Sequence, residues 1–111
     1  MRSVRGHVVF PANAPKRKAA LVTIELHDVS LQDVPSKLLA QTKLENVAVQ
    51  PGGSAAFTIQ APDAARGVAF RVHVDWDKDG SVSAGDLLTT QMIAAPAAGD
   101  KKPVQVPVTL I

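Results

Sequence analysis

Apolar and polar residues alternate with period two along most of this chain, in runs bounded by Pro, Gly and Asp. A run of that kind buries one side and wets the other, as a half-buried β-strand does. The pattern predicts strands over residues 4–10, 20–27, 37–45, 54–61, 68–74, 87–93 and 104–110. In the second, Val22, Ile24 and Leu26 face inward while Thr23, Glu25 and His27 face outward. In the third the inward set is Leu38, Ala40 and Leu44, and in the fourth Ala55, Phe57 and Ile59. The fifth is the cleanest, with Val68, Phe70, Val72 and Val74 on one side and Ala69, Arg71 and His73 on the other. Pro107 removes one backbone N–H from the last strand and so predicts an edge position there.

About seven short strands with turn signals between them, and no helical pattern longer than a turn, predict an all-β fold. The expected architecture is an antiparallel β-sandwich, immunoglobulin-like or transthyretin-like, with residues 1–111 forming a single domain. Hydrophobic residues make up 46% of the chain and aromatic ones 4%, so the core is expected to be aliphatic. With no cysteine, the chain has no disulfide framework, cysteine–zinc site or cysteine nucleophile. No apolar run reaches the length of a membrane span, and residues 1–10 lack the apolar stretch of a signal peptide.

The formal net charge of +2 is too small to argue for nucleic acid, but its distribution is uneven. Arg2, Arg5, Lys16, Arg17 and Lys18 give the first twenty residues five cations and no acid. The cationic run has no interleaved aromatic residues, so a contact with acidic lipid or a protein partner fits it better than nucleic acid. At the other extreme, Asp75, Asp77, Asp79 and Asp86 fall within twelve positions. Two carboxylates about 6 Å apart repel by about 0.5–1 kcal/mol even in water, so this crowding favours a cation.

Residues 75–86 match the spacing of an EF-hand calcium loop. Carboxylates fall at loop positions 1, 3 and 5 (Asp75, Asp77, Asp79), and Gly80 stands where the backbone turns sharply. Ser81 can bind through its carbonyl, Val82 can pack inward, Ser83 can act through water, and Asp86 can close the loop. Calcium takes six to eight oxygens at roughly 2.3–2.6 Å, and alternate residues of a curled loop aim their side chains at one centre. Asp86 replaces the usual glutamate, and the element entering the loop is a strand. An EF-hand-like calcium loop inserted in a β-scaffold is therefore expected, with Asp75, Asp77, Asp79, Ser81, Ser83 and Asp86 as its ligands.

Other constellations are weaker. His27 and His73 sit on outward registers and could share a zinc or copper ion if their strands are neighbours. Arg71, beside His73 and Asp75, could form an anion pocket. Trp76 could stack on a sugar, which with Arg71 would make a calcium-stabilised carbohydrate-binding or adhesion module. Packing of Trp76 beneath the loop is the simpler expectation. No G-x-S-x-G, H-E-x-x-H or phosphate-cradling glycine loop is present, and the clustered aspartates suit a metal better than acid–base work, so no enzyme is expected.

Two stretches carry a family likeness: Arg5 to Pro11 followed by residues 22–35, and Phe57 to Asp63 followed by Val68 to Asp75. The most specific piece is Leu26, Asp28, Val29, Ser30, Asp33 and Pro35. Together they resemble the YbaY/YscW family of small bacterial envelope lipoproteins, type III secretion lipoprotein chaperones or pilotins. The resemblance implies a small β-sandwich, a periplasmic or outer-membrane location, and a chaperone role toward a protein partner in the cell envelope. The chain has no cysteine that could serve as a lipobox.

Overall fold

The computed structural model describes residues 2–28, 37–61, 68–77, 85–90, 93–94 and 103–111. Among them every regular element is a strand. In chain order these are β1 (Arg2–Val9), β2 (Arg17–Asp28), β3 (Lys37–Val49), β4 (Ser54–Ala61), β5 (Val68–Asp75), β6 (Leu87–Leu88), β7 (Ile93–Ala94), β8 (Val104–Pro107) and β9 (Thr109–Leu110). They form two sheets. The smaller has the order β4-β1-β8 and the larger β3-β2-β5-β6-β9, with β7 pairing β5 beside that path. All pairings are antiparallel except that of β1 with β8.

The alternation read from the sequence decides which side chains lie between the sheets. Val4 and Val8 of β1, Phe57 and Ile59 of β4 and Val106 of β8 are buried from the smaller sheet. Val22, Ile24 and Leu26 of β2, Phe70, Val72 and Val74 of β5 and Leu87 of β6 meet them from the larger. The rings of Phe57 and Phe70 cross between the sheets edge to face, with centroids 5.6 Å apart. That arrangement sets the positive ring edge against a negative ring face.

Four local features depart from simple alternation. A bulge between Leu26 and His27 shifts the β2–β3 register, so Leu38 lies opposite His27 instead of continuing the inward set of β3. Leu38 is therefore 46% exposed where the alternation predicts it inward. A bulge adds one residue to one strand and reverses the facing beyond it. The β2–β3 pairing also runs on to Arg17 and Val49, farther than the alternation indicates. The expected sixth strand is two short strands, β6 and β7, which pair different parts of β5. The expected last strand divides at Val108, where the chain leaves the smaller sheet for the larger: β8 pairs β1, and β9 pairs β6. Pro107 lies in β8, an edge strand, as its missing N–H requires.

At Gly6, β1 pairs Val104 of β8 with no room for a side chain. A Cβ there would lie 2.6 Å from the Val104 carbonyl oxygen and 2.7 Å from Phe57 Cζ. The Val104 oxygen is backbone, so rotamer changes alone do not relieve the clash. Gly6→Ala is expected to destabilise the domain by roughly 1–3 kcal/mol, through overpacking. Denaturant titration measures this directly, and an unchanged midpoint would contradict the packing described.

Candidate functional site

Because the even-numbered residues of β2 and β5 are buried between the sheets, their odd-numbered neighbours line the outer face of the larger sheet. The register sets them in rows: Lys43, Thr23 and His73 across β3, β2 and β5, and beside that row Gln41, Glu25 and Arg71. These six residues, together with Leu21, Asp75 and Leu88 at one end, line a groove of about 320 Å³. Glu25 is engaged, accepting a hydrogen bond from His27 Nε2–H at 3.0 Å. Lys43 and Arg71 are exposed and make no ion pair among the described residues.

The acidic segment begins at the end of this groove. β5 and β6 pair through His73–Leu88 and Val74–Leu87. Extending that register by one residue sets Asp75 across from Asp86, so the first and last acids of the loop are neighbours at a hairpin base. Both are buried, at 1% and 3% exposure, while Asp77 is exposed. A carboxylate this deep is costly unless it is paired or hydrogen-bonded. Asp86 Oδ2 accepts a hydrogen bond from His73 Nε2–H at 2.9 Å, and the carboxylate acceptor requires the proton on that nitrogen. Asp75, Asp77 and Asp86 each have further interactions. Asp79, Ser81 and Ser83 lie outside the described residues, as do Gly80 and Val82. Among the described residues no three His, Asp or Glu groups are grouped to hold a metal ion.

Trp76 takes the opposite side of the hairpin. It is packed into the core at 9% exposure, and its Nε1–H donates to the Gly85 carbonyl at 2.7 Å. Gly85 has a φ of +96°, a region that favours glycine. Its N–H donates to the Ile111 carbonyl at 2.6 Å, and Ile111 N–H returns a bond to the Asp86 carbonyl at 3.1 Å. The Arg17 guanidinium lies 5.0 Å from the centre of the indole ring. The hairpin base is thus held by Trp76 from inside and by His73–Asp86 from outside.

These placements disfavour two of the weaker alternatives, and Trp76 packs against the core as the simpler expectation has it. β2 and β5 are neighbours, yet His27 pairs with Ala69 and His73 with Thr23, four residues apart along the strands, or roughly 13 Å. Each histidine holds its own carboxylate, and His7 lies in the other sheet, so the three do not converge on a zinc or copper ion. Trp76 is buried and Arg71 lies on the outer face, so they do not form one sugar-stacking surface. The His73–Asp86 pair was not anticipated; its only trace in the sequence is a histidine two positions before the first loop aspartate.

Trp76→Phe keeps a ring in the core but leaves the Gly85 carbonyl without its donor. It is expected to cost roughly 1–3 kcal/mol in thermal or chemical unfolding. A variant as stable as the parent would show that the bond contributes nothing net.

The model of the type III secretion system lipoprotein chaperone family (YscW) matches residues 1–76. The fold is similar to that of an alternative pilotin from the type II secretion system of Vibrio cholerae, with a TM-score of 0.60 and 19% identity over 97% of this chain and 96% of that one. No curated protein matches the chain. Of the piece that carries the sequence likeness, Leu26 is buried in β2 and Asp28 ends that strand, whereas Val29, Ser30, Asp33 and Pro35 lie outside the described residues. Since the matched residues include β1 to β5 and with them the strands that build the groove, the chain belongs to the YscW family of type III secretion system lipoprotein chaperones.

Proposed function

We propose that this domain is a non-enzymatic chaperone of the bacterial envelope that holds a secretion-system subunit, a secretin, against the outer face of its larger sheet. The observation that carries the reading is the family match over residues 1–76. The groove supplies a surface with suitable chemistry. Lys43 and Arg71 offer charge to an acidic segment, Thr23 and Gln41 offer hydrogen bonds, and Leu21 and Leu88 offer apolar area at one end. Charge of this kind selects a partner and speeds encounter more than it adds affinity. A periplasmic or outer-membrane-associated location goes with this role, and among the described residues no helix is long and apolar enough to cross a membrane.

The test is direct binding of the purified domain to the secretin from the same bacterium, followed by calorimetry. Lys43→Glu combined with Arg71→Glu is expected to weaken the complex at least about tenfold, or about 1.4 kcal/mol, with an unchanged melting temperature. Absence of any complex, or binding of glycans in its place, would overturn the reading.

A calcium ion at residues 75–86 is a second proposal, favoured by the approach of Asp75 and Asp86 across the hairpin. Loop positions 1 and 12 have to converge for a calcium loop to close. Its ligands would be Asp75, Asp77, Asp79, Ser81, Ser83 and Asp86. Trp76 is a built-in reporter: calcium added to chelator-treated protein should shift its emission and raise the melting temperature, by about 2.7 kcal/mol of added stability at a hundred times the dissociation constant. Asp77→Ala should abolish both responses. No response in the parent protein would rule the ion out.

A further inference from the structure

One end of the domain is built from the loop after β1 and the turn between β3 and β4, and the two are tied together. Phe10 N–H donates to the Gly53 carbonyl at 2.9 Å, and both Gly52 N–H and Ala14 N–H donate to the Pro11 carbonyl, at 3.2 and 3.1 Å. Ala14 is buried and anchors the loop. Lys16, Arg17 and Lys18 leave this support as consecutive exposed residues at the start of β2, beside exposed Ala48 of the neighbouring strand β3 and Gln50 just after it. Lys16, Arg17, Ala48, Val49 and Gln50 line a shallow depression there. No acid occurs in residues 11–20 or 46–56, and the three cations make no ion pair among the described residues. Arg17 lies over the indole of Trp76, the residue before Asp77.

We propose that Lys16, Arg17 and Lys18 form a docking face for an anionic phospholipid bilayer, distinct from the groove proposed for a protein partner. The chemistry favours a lipid surface over a discrete anion. Residues 16 and 18 are spaced by roughly 7 Å in an extended chain, so their charges are spread out and not converged on one phosphate. No aromatic face is free beside them for a nucleic-acid base, because the Trp76 ring is buried beneath Arg17. Each basic residue close to an anionic leaflet strengthens partition roughly fivefold, so three give about a hundredfold. That is a reversible, orienting contact, weaker than a lipid anchor. It has a geometric consequence: β2 starts at this end and runs to Asp28, which sets Thr23 of the groove roughly 20 Å farther along the strand. A domain resting on this end keeps the groove clear of the bilayer.

The test is co-sedimentation of the purified domain with vesicles of phosphatidylcholine alone and of phosphatidylcholine with roughly 30% phosphatidylglycerol, in low salt and in about 0.5 M NaCl. Pelleting is expected only with the anionic vesicles and is lost in high salt. Lys16→Ala combined with Lys18→Ala, which leaves Arg17 on the indole, should lower the partition coefficient about 25-fold with an unchanged melting temperature. Equal pelleting with both vesicle types would overturn the proposal, as would a double variant that partitions like the parent. Release by roughly millimolar inorganic phosphate at constant ionic strength would also overturn it, since that marks a discrete phosphate pocket and not a lipid face. None of these outcomes bears on secretin binding.

Discussion

The period-two burial of β2 against β5 is the constraint on which the rest of the molecule depends. Val22, Ile24 and Leu26 lie beside Val74, Val72 and Phe70 in the register, and all six are buried beneath the smaller sheet. Each of these side chains removes on the order of 1.5–3 kcal/mol worth of apolar surface from water. A slip of one residue would expose the whole set, so the register is strongly fixed. Once it is fixed, Thr23, Glu25, Arg71, His73 and Asp75 have only the outer face left to occupy. The groove is a by-product of that packing, and its composition follows from whichever polar residues fall between the buried ones.

The β5–β6 hairpin applies the same parity at its base. Trp76, next in the inward series after Val74, enters the core and binds the Gly85 carbonyl. His73 and Asp86 meet on the outer side. In a strand, alternate residues share a face, so Trp76 falls on the core side and His73 on the outer side. Ile111 adds a third tie, through backbone hydrogen bonds to Gly85 and Asp86.

Family and fold place this domain among secretion-system lipoprotein chaperones, but the fold by itself does not name a partner. Its surface divides the chemistry. The groove on the larger sheet mixes both signs of charge, whereas the end formed by the loop after β1 and the β3–β4 turn carries cations alone. A chaperone that receives a protein on one surface while touching a membrane with another needs this kind of separation, because a single basic patch could not serve both at once.

Much of the architecture was legible in the chain itself. The alternation located β1 to β5 and most of their inward residues because burial on one side leaves a period of two, though Ala69 and His27, read as outward, are buried, and Pro107 indicated an edge because a missing N–H cannot pair. The likeness in residues 5–11, 22–35, 57–63 and 68–75 pointed to the chaperone family from local sequence alone. Tertiary structure decided what depends on partners far along the chain. The bulge at Leu26/His27 turned Leu38 outward, the division at Val108 sent one segment to two sheets, and the β2–β5 register kept His27 from His73 while the β5–β6 register brought His73 to Asp86. Each is a question of register between strands, and a single strand's sequence states which side a residue faces but not which residue stands opposite.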